Sequence, residues 1–130
     1  MKNIKIKTKG KYEVVDITSE VEEQVKHLDE GIVIVYTPHA TGAIILNENY
    51  DPNIGKDIVE ALDKIIPEGK WMHDAVDDNG AAHIKAAIIG PSETVIVKEG
   101  KLQLGTWQNI CFCDFDGPRE RTIYVKVIKG

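Results

Sequence analysis

The chain reads as an α+β protein: a mostly antiparallel β-sandwich or strongly twisted sheet with two longer helices packed on it. Three observations predict this. Segments of strand length outnumber helical ones. Many neighbouring strand segments are joined by short turns, which favours antiparallel pairing. Only two stretches carry the elements of a substantial helix, a capping residue before it and a stop after it. The length of 130 residues suits one domain spanning 1–130 and can close a hydrophobic core without staples.

The elements follow in order. Ile4 and Ile6 alternate with Asn3, Lys5 and Lys7, the mark of a strand with one wet face. Gly10 and Lys11 turn the chain into a second strand, Tyr12 to Ile17. Ser19 followed by Glu22 forms a capping box, and Val21, Val25 and Leu28 stripe a short helix that ends at Gly31. Ile32 to Tyr36 is an apolar run of strand length, followed by the loop Thr37 to Gly42 and a strand from Ala43 to Leu46. Asp51 then caps a helix with Pro52 at its first position, and Ile54, Ile58, Leu62, Ile65 and Ile66 share one face before Pro67 and Gly69 stop it.

The polar segment from Trp71 to Gly80 reads as a loop, and Asn79 as the cap of a helix from Gly80 to Ile89 closed by Gly90 and Pro91. Strands follow at Thr94 to Lys98, Leu102 to Leu104 and Thr106 to Phe115. The turn Asp116-Gly117-Pro118 leads into the last strand, Thr122 to Ile128. On the penultimate strand, Gln108, Ile110, Phe112 and Asp114 share one face; Trp107, Asn109, Cys111 and Cys113 share the other.

Composition excludes several classes. A formal charge of -5 argues against broad electrostatic binding to nucleic acid or to anionic lipid, although local basic spots could hold a small phosphate ester. Nothing in the chain approaches the apolar length needed to cross a bilayer, and the opening Lys/Ile alternation reads as a strand rather than a signal peptide. Cys111 and Cys113 are too close on one strand for an ordinary structural disulfide, so the reading is two free, core-packed thiols in a reducing, cytoplasmic compartment.

Three histidines occupy positions suited to chemistry: His39 in a loop after a buried strand, His73 in the acidic loop, His83 in the first turns of a helix. Three converging imidazoles would make an open zinc-type site with a position left for water or substrate. No pair has the i, i+4 spacing of a helical metal motif, so convergence must come from the fold, and surface or hydrogen-bonded histidines fit the spacing too. His27, on an amphipathic helix, reads as structural. Glu48 could serve as a general base or support a histidine, or be part of a solvated turn before Asp51. Asp74, Asp77 and Asp78 could hold magnesium against a diphosphate, or be a solvated charge run.

The helix start at Asn79-Gly80 offers backbone N–H groups to an anion. Arg119 and Arg121 are the guanidinium groups best placed for a phosphate. Lys85 lies roughly 200° around the helix from His83, which makes it a salt-bridge candidate first. Trp107 reads as a core or interface anchor.

The blocks Thr37-Pro-His-Ala-Thr-Gly-Ala, Leu46-Asn-Glu-Asn and Asp51-Pro, then Ala82-His-Ile-Lys, Gly90-Pro-Ser, Leu104-Gly-Thr-Trp-Gln and Phe115-Asp-Gly-Pro-Arg, resemble the YjbQ family of secondary thiamine-phosphate synthase-like proteins. The resemblance runs from about Tyr36 to Arg121, with blocks in the same order, and Gly-Thr-Trp-Gln and Phe-Asp-Gly-Pro-Arg are its most specific parts. It implies a compact α+β domain assembled as a homotrimer with polar clefts between subunits. It also implies a divalent metal, zinc ahead of magnesium, on His39, His73 and His83. Glu48 and Gln108 would be catalytic, and Asn79, Gly80 and Arg119 would bind a small phosphorylated molecule. The implied reaction joins a hydroxymethylpyrimidine diphosphate to a thiazole phosphate, giving thiamine phosphate and pyrophosphate. Two alternatives stand beside it: a metal-dependent hydrolase of a small phosphate ester or amide, and a non-catalytic trimeric ligand-binding or scaffold protein. At Asp77-Asp78-Asn79-Gly80 the chain carries more acids than the family pattern leads one to expect.

Overall fold

Two antiparallel sheets share one apolar interior in the computed structural model, which describes residues 1–130. The elements run β1 (Lys2–Lys7), β2 (Glu13–Asp16), α1 (Thr18–Val25), β3 (Glu30–Tyr36), β4 (Gly42–Asn47), α2 (Pro52–Ile65), α3 (Asp74–Asp77), α4 (Gly80–Ile89), β5 (Ser92–Lys98), β6 (Lys101–Leu102), β7 (Asn109–Asp114) and β8 (Glu120–Lys129). The larger sheet has the order β1-β8-β3-β5-β6 and the smaller β2-β7-β4.

Strand alternation builds the layers. Val33, Val35, Val95, Val97, Ile123 and Val125 point inward from the larger sheet and meet Ile44, Ile110 and Phe112 of the smaller one. Ile17, Val21 and Val25, in and just before α1, complete that core. Burying each Val, Ile or Phe contributes about 1.5–3 kcal/mol, so this cluster is the main source of stability. The opposite face of the smaller sheet is also covered. Ala43, Cys113 and Phe115 pack there against Ala82 and Ala86 of α4, with Leu62 of α2 alongside. Strand β7 is therefore buried on both sides, and the cysteines are free and buried in it. Burial pushes both thiols up to about 12, which leaves them protonated.

Helix α2 starts as its sequence predicts, with the Asp51 side chain accepting from the Asn53 N–H at 2.9 Å and Pro52 in the first turn. Other local expectations change. Ser19 does not cap α1; Asp16 takes the Thr18 N–H at 2.9 Å and the Thr18 hydroxyl at 2.6 Å, because Asp16 closes β2 immediately before the helix. Ile65 is 74% exposed rather than on the buried face, since the helix ends there and Ile66 turns inward instead. The polar stretch after Trp71 contains the short α3, and both longer helices lie on the smaller sheet alone.

Candidate functional site

The antiparallel register of β4 and β7 creates two functional ends. Gly42 pairs with Asp114 at one end, and Asn47 with Asn109 at the other. Five residue steps at about 3.3 Å each separate them by about 17 Å.

At the Gly42–Asp114 end lies a cavity of about 410 Å³, lined among others by Thr41, Asp77, Asn79, His83, Arg119 and Arg121. Its floor is a buried ion pair. Arg121 donates through Nη2 to Asp114 Oδ1 at 2.6 Å and through Nε to Oδ2 at 2.9 Å. Asp114 also accepts from the Thr8 hydroxyl at 2.7 Å and the Asp116 N–H at 2.9 Å. Burial pushes the Asp114 carboxyl up, but the Arg121 hydrogen bond and those two donors outweigh it and hold it below the usual carboxylate range. Arg119, at the cavity rim, donates to the Asp116 carbonyl at 2.9 Å and to Asp116 Oδ2 at 3.3 Å.

The predicted site residues divide unevenly between the two ends. His73 and His83 come together, their rings 4.7 Å apart and edge to face. Asp77 Oδ2 stands 3.6 Å from His73 Nε2. His39 is engaged elsewhere: its Nε2 accepts the Thr122 N–H at 2.9 Å, which leaves the ring proton on Nδ1 when the imidazole is neutral. Burial, and then the Arg121 charge, lower the His39 pKa and favour that neutral ring. Within one chain no three His, Cys, Asp or Glu side chains converge as a metal-ligand group.

Asn79 opens α4 without capping it. Its Nδ2 donates to Asp116 Oδ2 at 2.8 Å, and Asp74 Oδ1 takes the Gly80 N–H at 2.8 Å in its place. Gly80 is required here, because a Cβ would sit 2.7 Å from the Trp71 Cβ. Thus Asn79 and Gly80 reach the predicted neighbourhood with those two donors already used by protein carboxylates.

Glu48 and Gln108 lie at the other end, after β4 and before β7. Gln108 Oε1 accepts the Gly105 N–H at 2.9 Å and so closes the Gly105-Thr106-Trp107 turn. Beside it Trp107 and Tyr50 are exposed and meet edge to face at 5.6 Å. Lys85, away from both ends, is fully buried, with Nζ 2.9 Å from Asp63 Oδ1 and 4.4 Å above the Tyr12 ring.

Sequence reasoning missed the depth of Arg121 and the part played by Asp114. The available signal was parity. Asp114 falls in phase with Ile110 and Phe112, and Arg121 with Ile123 and Val125, so each is a charged residue at an inward position.

The family described as UPF0047 protein YjbQ-like matches residues 2–130. This chain belongs to the YjbQ-like UPF0047 family. Among its curated relatives, YugU of Bacillus subtilis is 44% identical, the match covering 98% of each chain. A UPF0047 protein of Archaeoglobus fulgidus is 47% identical, covering 95% of this chain and 97% of the relative. A crystal structure of an uncharacterised YjbQ/UPF0047 protein from Clostridium acetobutylicum superposes with a TM-score of 0.94 at 42% identity, covering 98% of this chain and all of the other. The YjbQ-like fold is thus shared along the whole chain, while the family's function is not established. No helix of this YjbQ-like chain is long and apolar enough to cross a membrane.

Proposed function

We propose that the chain is a metal-dependent enzyme acting on a small phosphorylated molecule, at a site completed between subunits of a homotrimer. The observation that carries this reading is the meeting of His73 and His83, 4.7 Å apart, with His83 in the wall of the cavity that Arg119 borders. Two neighbouring imidazoles supply part of the ligand set that a borderline-soft divalent ion such as zinc takes. They are fewer than a closed site needs, so the remaining positions fall to water, to substrate or to a neighbouring copy. When bound, the metal supplies positive charge next to the phosphate oxygens.

The rest is work for the chain's own residues. Arg119, steadied by Asp116, holds a phosphate by charge-assisted hydrogen bonds. Glu48 and Gln108 supply a base and an amide, but only across a subunit contact, because the strand length separates them from His83 in one chain. Exposed apolar side chains favour a head-to-tail contact of this kind. Tyr50 and Trp107 are 71% and 62% exposed at one end; Met72 and Val76, flanking His73, are 96% and 74% exposed at the other. A contact joining unlike surfaces closes into a ring when the rotation allows, and three copies make the smallest such ring beyond a pair. The reaction we propose for it, the one the family resemblance implies, is the synthesis of thiamine phosphate from a pyrimidine diphosphate and a thiazole phosphate with release of pyrophosphate.

Metal analysis of untagged protein tests the reading. One divalent ion per chain is expected, and loss of most of it in His73→Ala and in His83→Ala with the trimer preserved. Retention of the ion in both variants refutes the ligand assignment. Pyrophosphate release when both precursors are supplied supports the synthase reaction; inorganic phosphate released from one ester alone redirects it to a hydrolase.

A further inference from the structure

We propose that Arg121 is the anion anchor of this cavity, and that its ligand carries a hydroxyl or amine donor beside the anionic group, which Asn79 accepts. This rests on the function proposed above and narrows its substrate class to phosphate esters with a neighbouring hydrogen-bond donor.

An Arg121 edge with no acceptor in the chain and an unmet Asn79 amide oxygen, on two side chains that line the same cavity, lead to it. Arg121 is only 4% exposed, yet it lines the cavity. Its hydrogen bonds all run through Nε and Nη2, to Asp114, to Thr41 Oγ1 at 2.9 Å and to the Asp116 carbonyl at 3.4 Å. Nη1 donates to nothing in the chain. A guanidinium carries five donors in a rigid fork, and the two on Nη1, which have no acceptor in the chain, are left for a group that enters the cavity. Asp114 neutralises Arg121 and fixes its plane, so the free edge is pre-aimed. Arg119 at the rim brings the additional positive charge that a phosphate needs.

Asn79 Oδ1 is the one buried side-chain oxygen or nitrogen in the chain without a hydrogen-bond partner. Its orientation is determined, because the amide nitrogen donates to Asp116 Oδ2 at 2.8 Å and a flipped amide would set oxygen against carboxylate. An oxygen held this way can only accept. A fully ionised phosphate has no donor to give it, so a ligand that satisfies Oδ1 brings a donor close to its anion. The volume of about 410 Å³ admits a small ester of this kind.

Titration calorimetry on the full-length protein tests the inference with two probes differing by one hydroxyl, ethyl phosphate and 2-hydroxyethyl phosphate. The hydroxyl-bearing ester should bind about tenfold more tightly, as expected when a buried acceptor gains its partner. Asn79→Ala should bring the two affinities together by weakening only the hydroxyl-bearing ester. Arg121→Lys keeps a cation for Asp114 but loses the fork, and should weaken both esters by about tenfold or more. Should that variant fail to fold, the ratio of the two esters in the wild type and in Asn79→Ala decides the matter. Equal binding by the wild type, or an unchanged ratio in Asn79→Ala, overturns the inference and leaves the metal site standing. Failure of either ester to bind overturns the inference and the phosphate part of the proposed function together, with metal content still judging His73 and His83 separately.

Discussion

Asp114→Asn keeps the shape of the side chain and removes its charge. Every group around that carboxylate is a donor: Arg121 Nε and Nη2, the Thr8 hydroxyl and the Asp116 N–H. The new amide nitrogen must therefore face another donor, and Arg121 is left buried without a counter-ion. Breaking a buried pair from one side costs about 3–5 kcal/mol, against a total stability of about 5–15 kcal/mol for a typical domain. At roughly 3–5 °C per kcal/mol for a chain of this size, the melting temperature should drop by about 10–25 °C. Urea unfolding at fixed protomer concentration measures the loss directly, since assembly would otherwise shift the midpoint. A double-mutant cycle with Arg121→Met isolates the coupling; the double variant should lose less than the two singles summed, because no charge is then unpaired. The pH dependence has a definite sign. The folded Asp114 carboxyl is held below its ordinary value, so its contribution is complete above about pH 4 and is lost as pH falls through the folded value. Asp114→Asn should flatten that acid limb. A loss under about 1 kcal/mol, or strict additivity with Arg121→Met, refutes the view that this pair holds the cavity floor.

His39 has a folded pKa below its ordinary 6.5, so its share of stability is complete above 6.5 and declines as pH falls from there toward the folded value. Melting temperatures followed from about pH 7.5 to about pH 5 should fall less steeply in His39→Gln, which keeps an acceptor but does not titrate; parallel slopes would clear His39 of the effect. Lys85→Met, which replaces a buried cation by an apolar chain of similar length, should leave urea stability unchanged or raise it, whereas Lys85→Ala should lose about 2 kcal/mol or more to the cavity. Equal losses in the two would show that the Asp63 pairing itself stabilises the helix packing. Gly42→Ala would set a Cβ 2.6 Å from Phe112 Cζ in the main core, and should cost about 1–3 kcal/mol by thermal unfolding; a neutral result would mean that the core can yield there.

Features that depend on a few neighbouring residues are legible in the sequence. The Asp51-Pro52 start of α2 follows from capping chemistry, the end of α4 from its Gly90-Pro91 stop, and the wet and dry faces of β1 from strand period. Caps failed where a distant residue competed. Asn79 gives its amide to Asp116, 37 positions away in sequence, and so leaves the helix it opens uncapped. The candidate site was legible as a set of residue types but not as a place. His83 and Gln108 read as companions in the sequence, yet the strands set them at opposite ends of one sheet, and His39 turns to the Thr122 backbone.

The sequence by itself determined the α+β class, the family, the apolar pattern that drives both cores, and the polar residues available for chemistry. These rest on local periodicity and on short motifs, which hold whatever the chain does further away. Only the tertiary structure decided which polar groups meet. The β4–β7 register makes two separate ends, folding buries Arg121 on Asp114, and Asn79 is left with an acceptor that the chain does not satisfy. A shift of one residue in that register would turn each side chain to the other face, so no local rule could have specified the meeting.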